Sequence, residues 1–237
     1  MNKSIFITAT STNIGKTVVS AIICNILSKK VSVCYYKPVQ TGCLSRGNEL
    51  IAPDIEFVKS VNKDIFATSS YLFKNASSPH LASKLEERKI YFDIIKKDYE
   101  MLKRDYSYIV VEGAGGLFVP LNENNLFIYN IPKRLKIPVI LVSKAGLGAI
   151  NQVCLSYKFL ERLRIKIGAI ILLFKNKEPD YIEKDNFDIL KKILKFKNIF
   201  LLPEVKDCDT ENSSLGNIFE IIDRYPPFET IEGWFSK

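Results

Sequence analysis

Ser4-Ile5-Phe6-Ile7-Thr8-Ala9-Thr10-Ser11-Thr12-Asn13-Ile14-Gly15-Lys16-Thr17, running on into Val18-Val19-Ser20-Ala21-Ile22-Ile23-Cys24-Asn25-Ile26-Leu27, decides the fold. A short β-branched run reads as a strand, the small polar residues after it as a loop, and the apolar stretch beyond Gly-Lys-Thr as a helix. In that order, backbone N–H groups and a helix N-terminus converge on phosphate oxygens. A lysine at position 16 then reaches the terminal phosphates and a hydroxyl at position 17 can ligate Mg²⁺. The usual GxxxxGK[ST] pattern has glycine where this chain has Thr10, so the expected loop is a variant whose opening turn must manage with a Cβ.

Outward from this segment, apolar runs alternate with helical patterns. Strands are expected at Ser4–Thr8, Val31–Tyr36, Ser107–Glu112, Pro138–Ser143, Lys166–Phe174 and Asn198–Leu202. Each is continuously apolar, as in parallel strands covered on both faces. Helices are expected at Lys16–Lys29, Asp54–Val61, Tyr91–Lys103, Gly148–Arg164 and Tyr181–Lys195. Such alternation predicts an α/β, doubly wound, mostly parallel sheet with helices on both faces, the P-loop NTPase fold, with ligands at the carboxyl ends of the strands. The 237 residues are expected to form a single nucleotide-binding domain. Thr41–Pro53 and Phe73–Pro79 are polar loops long enough to serve a site. Pro226-Pro227 breaks any helix near Arg224.

Composition narrows the function. The net charge is +8, but the lysines are spread along the chain rather than gathered in an arm, which predicts a solvated surface rather than nucleic-acid binding. The longest strongly apolar stretch, Ile167 to Phe174, falls far short of the roughly 20 residues that cross a bilayer. The amino terminus lacks the regions of a secretory signal, so a cytoplasmic protein without membrane partners is expected. Cys24, Cys34, Cys43, Cys154 and Cys208 show neither CxxC spacing nor an even count, against disulfides or zinc.

Two further segments carry chemistry. Tyr106-Ser107-Tyr108-Ile109-Val110-Val111-Glu112-Gly113-Ala114-Gly115-Gly116 is a strand that ends in an acid and a glycine-rich turn, and a carboxylate there can hold Mg²⁺ directly or through water. Lys37 ends the second strand and opens onto the same crevice, where a second fixed positive charge can neutralise a phosphoryl group. The lone His80 follows a proline in a loop and reads as packing rather than as a base. Asp54 begins a helix, and from spacing alone it reads as a cap.

Together these segments resemble the dethiobiotin synthetase family. Its phosphate loop of the form GTDTxVGKT, its KPVxSG segment, loop aspartate, EGAGG turn and LGxIN segment are matched in order by Ala9–Thr17, Lys37–Gly42, Asp54, Glu112–Gly116 and Leu147–Asn151. The resemblance covers roughly residues 4–165. It implies that Asn13, Ile14, Gly15, Lys16 and Thr17 cradle the phosphates of ATP, with Gly113, Ala114 and Gly115 beside them. It implies Mg²⁺ held by Thr17, Asp54 and Glu112, which makes the cap role of Asp54 secondary. Lys37 and Lys16 would be catalytic. Thr12, Lys37 and Thr41 would contact a small-molecule diamine. The family is a homodimer, and a helix start of the partner, here Leu147, Gly148, Ala149, Ile150 and Asn151, would receive the substrate carboxylate. Pro203, Glu204 and Val205 match a loop that contacts the base. No amide stands near Leu172, where adenine-selective members carry asparagine.

The implied activity is ATP- and Mg²⁺-dependent closure of the dethiobiotin ring from 7,8-diaminopelargonate and CO₂, through a carbamate and its mixed anhydride with phosphate. The rival reading from another class is a partition or positioning ATPase that binds DNA or membrane. Such a switch is expected to carry a second lysine inside the phosphate loop and often a basic amphipathic terminal helix. This loop holds only Lys16, and the tail is acidic and interrupted by prolines.

Overall fold

A computed structural model describes residues 3–235, and its central feature follows directly from the apolar runs. Seven strands, β1 (Lys3–Ala9), β2 (Val33–Tyr36), β3 (Phe66–Thr68), β4 (Tyr108–Gly116), β5 (Val139–Lys144), β6 (Ile167–Phe174) and β7 (Ile199–Pro203), form one sheet in the order β7-β6-β5-β1-β4-β2-β3. Every pairing in it is parallel. The six expected strands are all present, within a few residues of the expected ends. The edge strand β3 was not expected: three residues are too few to show a period, and Phe66 at its start is exposed.

Parallel neighbours require crossovers, which the helices supply. These include α1 (Lys16–Ser28), α2 (Pro53–Val61), α3 (Pro79–Leu85), α4 (Phe92–Asp105), α5 (Asn130–Leu135), α6 (Ala149–Arg162) and α7 (Tyr181–Leu194). α3 and α5 were not expected, being too short to carry an amphipathic signature. α7 opens with a capping box: Glu183 N–H donates to Asp180 Oδ1 at 2.8 Å and Asp180 N–H to Glu183 Oε2 at 2.9 Å. The polar segment from Thr41 to Pro53 is a loop that carries a small hairpin, Leu44–Arg46 against Glu49–Ile51. No helix among the described residues is long and apolar enough to cross a membrane.

Strand alternation divides the interior between the two sheet faces. Ile5, Ile7 and Ala9 pack with α1, α2 and the C-terminal Ile218–Phe235 segment, whereas Phe6, Ile109, Val111 and Val139 pack with α4 and α5. Trp234, 1% exposed, seals the first face, with its ring 5.1 Å from Phe200. It lies over Gly168 of β6, where an added Cβ would stand 2.5 Å from the Trp234 carbonyl oxygen and 3.1 Å from Trp234 Cβ. Gly168→Ala should therefore push the C-terminal segment off the sheet and lower stability by roughly 1–3 kcal/mol. Urea unfolding checks this; an unchanged midpoint would show that the segment does not dock there.

Candidate active site

At the carboxyl end of β1 the chain turns through residues Thr10–Gly15 into α1, with positive φ at Asn13 (53°) and Gly15 (110°). Neither Ala9 nor Thr10 has a positive φ, which explains why this loop does without a glycine at its start. Ala9 completes β1 beside Gly116 and Val142, and Thr10 N–H donates to Val142 O at 3.0 Å. The left-handed demand falls on Gly15, where an added Cβ would also stand 3.1 Å from Leu173 Cδ1. Lys16 follows, 8% exposed and without an ion pair among the described residues. Burial, and then the nearby positive charge of Lys37, lower its pKa to about 8. A cation held this way is short of an anion.

Glu112, fully buried, is the hub of the site. Tyr35 of β2 pairs with Val110 of β4, so period-two alternation brings residue 37 opposite residue 112 on the face covered by α1. Lys37 Nζ lies 2.8 Å from Glu112 Oε1 and 2.5 Å from Asp54 Oδ2. From α1, Thr17 Oγ1 donates to Oε1 at 3.0 Å, and Ser20, one turn on, reaches Oε2 at 2.6 Å. Tyr35 OH donates to Oε2 at 2.9 Å. Burial pulls the Lys37 ammonium down, but the carboxylates of Asp54 and Glu112 more than offset this and its pKa is raised. Burial, reinforced by Glu112, keeps Tyr35 a neutral donor.

Asp54 does not cap α2. The N-cap is Ala52, no side chain caps the helix, and the Asp54 carboxylate turns to Lys37 instead. Among the described residues no group of three or more His, Cys, Asp or Glu side chains could hold a metal. Two carboxylates and the Thr17 hydroxyl are oxygen donors of the kind that a hard cation accepts alongside water and phosphate oxygens.

These groups line a cavity of about 1100 Å³. Thr12, Asn13, Ile14, Gly15, Lys16, Thr17, Lys37, Thr41, Asp54, Glu112, Ala114, Gly115, Glu204 and Val205 all face it. Gly113 does not; its missing Cβ makes room for Phe6 Cζ, which would lie 2.9 Å away. Pro203 is absorbed into β7, paired with Phe174. Leu147, Gly148, Ala149, Ile150 and Asn151, around the start of α6, do not line this cavity, and Leu147 is 88% exposed. Ser20 and Tyr35, with Gln40, Ser77, Ser78, Cys208 to Glu211 and Tyr225 on the cavity wall, escaped the sequence reading. Only the polar character of residues 41–53 and 73–79 hinted at such walls. His80, expected in a loop, lies instead in the first turn of α3, its Nδ1 3.0 Å from Ser78 Oγ.

A strand, a phosphate-cradling turn, a Lys-Thr helix start and a strand-end acid define the class of P-loop nucleoside triphosphate-binding proteins. Solved structures agree on the fold: a putative plasmid partition protein from Borrelia burgdorferi bound to AMPPNP superposes with a TM-score of 0.62 at 17% identity, covering 99% of this chain and 98% of that one. The MinD cell division protein of Aquifex aeolicus gives 0.57 at 14% identity, over 98% and 94%. A family described as an AAA domain matches residues 3–212. The ATP-dependent dethiobiotin synthetase BioD of Clostridium perfringens is 37% identical over 228 residues, 94% of this chain and 99% of the relative. That of Fusobacterium nucleatum is 37% identical over 215 residues, 88% and 97%. The chain belongs to the ATP-dependent dethiobiotin synthetase family.

Gly15→Ala should weaken binding of ATP analogues roughly 5- to 100-fold, because the turn must strain to keep a positive φ with a side chain. Calorimetric titration checks this, with wild-type affinity as the contrary result.

Proposed function

We propose that this chain uses ATP to close the ureido ring of dethiobiotin from 7,8-diaminopelargonate and CO₂, releasing ADP and phosphate, as its relatives' names imply. The observation that carries the reading is the cluster of Lys37, Asp54, Glu112 and Thr17 beside the phosphate loop, in a cavity roomy enough for a nucleotide and a second small molecule. The 237 residues act as one nucleotide-binding unit.

In the proposed reaction, Asn13 to Thr17 bind the triphosphate through backbone N–H groups, with Lys16 on the terminal phosphate. Thr17, Asp54 and Glu112 hold Mg²⁺, which supplies charge neutralisation to the phosphate oxygens when bound. Two carboxylates facing the single ammonium of Lys37 leave negative charge for a divalent cation to balance. One amine of the diamine, unprotonated, takes up CO₂ as a carbamate. The carbamate oxygen accepts the γ-phosphoryl group of ATP, and the second amine attacks the resulting anhydride carbon, expelling phosphate. The protein's contribution is positioning and fixed charge. Lys37 neutralises the carbamate and the transferring phosphoryl group, while Thr12, Thr41 and the turn at Ala114–Gly115 flank the diamine. Glu204 and Val205 border the nucleoside.

Leu147, Gly148, Ala149, Ile150 and Asn151 belong to the cavity of a second subunit in this reading, receiving the substrate carboxylate at the start of α6. Exposed Phe118, Leu147 and Leu155 support such a homodimer by offering apolar surface in need of cover. The working compartment is the cytoplasm, and no nucleic-acid or membrane partner is invoked.

Protein incubated with diamine, bicarbonate, Mg²⁺ and ATP should yield the cyclic urea by mass spectrometry, and ATP hydrolysis that ignores the diamine would sink the reading. Lys37→Gln should lower kcat by roughly 10²–10³-fold, as for a lost charge-stabilising group; near-normal turnover would remove Lys37 from the mechanism. Asp54→Asn should raise the Mg²⁺ concentration needed for half-maximal rate, and an unchanged metal dependence would count against its place in the metal site.

A further inference from the structure

Strand order gives the cavity two sides. Lys37 and Glu112 belong to β2 and β4, while β5, β6 and β7 lie in succession beyond β1 and its phosphate loop. With the terminal phosphate drawn toward Lys16 and Lys37, a bound nucleotide extends its nucleoside toward β7. Across the carboxyl end of β6, Lys144 Nζ of β5 lies 2.8 Å from Glu204 Oε1, just past β7. Glu204 N–H in turn donates to Phe174 O of β6 at 2.9 Å. Lys144, Leu173, Glu204 and Val205 line the cavity, and so does Tyr225.

Tyr225 comes from the C-terminal segment. Pro226 follows it, and a residue before proline is pushed out of the helical region. Tyr225 accordingly has φ −80° and ψ 154°, and it ends the helical turn at Ile222–Arg224. The segment is tied to the end of β6, because Arg224 Nη1 donates to Lys177 O at 3.2 Å and its guanidinium lies 5.7 Å from the centre of the Phe174 ring. The Tyr225 ring packs in the apolar layer that also holds Ile14 of the phosphate loop and Leu202 of β7. The residue is 5% exposed, so the ring is enclosed.

The hydroxyl escapes this enclosure. It makes no hydrogen bond among the described residues, yet it is not one of their fully buried polar atoms without a partner, which are Thr8 Oγ1, Gln40 Oε1 and Trp234 Nε1. An unbonded hydroxyl outside that set reaches accessible surface, and the surface that Tyr225 lines is the cavity's. Burial, reinforced by the negative charge of Glu204, raises its pKa and keeps it neutral. A neutral phenol both donates and accepts, whereas the Glu204 carboxylate only accepts. The pair complements the hydroxyls and base edge of a nucleoside, which carry donors, and not the acceptor-rich oxygens of phosphate. We infer that Tyr225 is a nucleoside-recognition residue of the ATP site, its hydroxyl bonded to the sugar or the base. The inference rests on ATP use and on the course of the nucleotide across the sheet, not on ring closure.

The test is calorimetric titration of a non-hydrolysable ATP analogue, and separately of inorganic tripolyphosphate, into wild type and Tyr225→Phe with Mg²⁺. Phenylalanine keeps the ring and its packing and removes only the hydroxyl. The variant should bind the ATP analogue roughly 3- to 10-fold more weakly while holding tripolyphosphate within about twofold of wild type. A 2′,3′-dideoxy form of the analogue then locates the partner: a loss that vanishes with it assigns the hydroxyl to the sugar, and a loss that persists assigns it to the base. Unchanged affinity for the ATP analogue would overturn the role of Tyr225. An equal loss for tripolyphosphate would also overturn it, since a disturbed phosphate loop would then account for the effect. Either result removes Tyr225 alone and leaves ring closure to its own assay, whereas a wild type that binds tripolyphosphate and the ATP analogue equally well removes nucleoside recognition from this cavity altogether.

Discussion

The carboxylate of Glu112 sits at full burial under the carboxyl edge of the sheet, and a charge in that position must be met from several directions at once. Four donors meet it: Thr17 and Ser20 from α1, Tyr35 from β2 and Lys37 just beyond β2. Asp54, at the start of α2, closes the cluster on Lys37. One buried acid thus ties two strands and two helices to a common point. It also divides its two oxygens between partners: Oε2 is taken by Ser20 and Tyr35, whereas Oε1 receives Thr17 and Lys37.

The phosphate loop is positioned by the same strands. β1 lies between β4 and β5, so the turn that leaves it is flanked by the glycine-rich end of β4 and the carboxyl end of β5. Thr10 is anchored on Val142, and Gly116 stands close enough to Ala9 that an added Cβ would lie 3.4 Å from its carbonyl oxygen. Because the start of the loop continues the strand, its conformational demand is shifted to Asn13 and Gly15. Asparagine is among the residues that tolerate a left-handed conformation, and glycine adopts it freely.

The cavity wall comes from segments with little regular structure. The hairpin after β2, the loop before α3 and the chain after β7 all bring side chains to it, and each is held by local backbone bonds such as Cys43 N–H to Phe73 O at 2.9 Å and Asn217 N–H to Lys206 O at 3.2 Å. A rigid parallel sheet carrying variable loops at one end is the arrangement in which binding surfaces of α/β proteins are usually built.

The amino-acid sequence by itself determined the parallel sheet, the phosphate loop and the acid at residue 112, because each is written in adjacent residues: a continuous apolar run, Gly-Lys-Thr before a helix, a strand end followed by glycines. It also marked Lys37 as opening onto the same crevice. What only the tertiary structure decided is which side chains share an atom. Asp54 reads locally as a helix cap, and its turn toward Lys37 depends on where α2 packs against α1. Ser20 and Tyr35 read as a helix interior and a strand interior, and become partners of Glu112 only through the register of β2 on β4. Gln40 is one residue of a two-residue strand, too short for any period to show that its oxygen is left without a donor. Local chemistry follows from neighbours along the chain, but hydrogen-bond satisfaction in the interior is a property of neighbours in space.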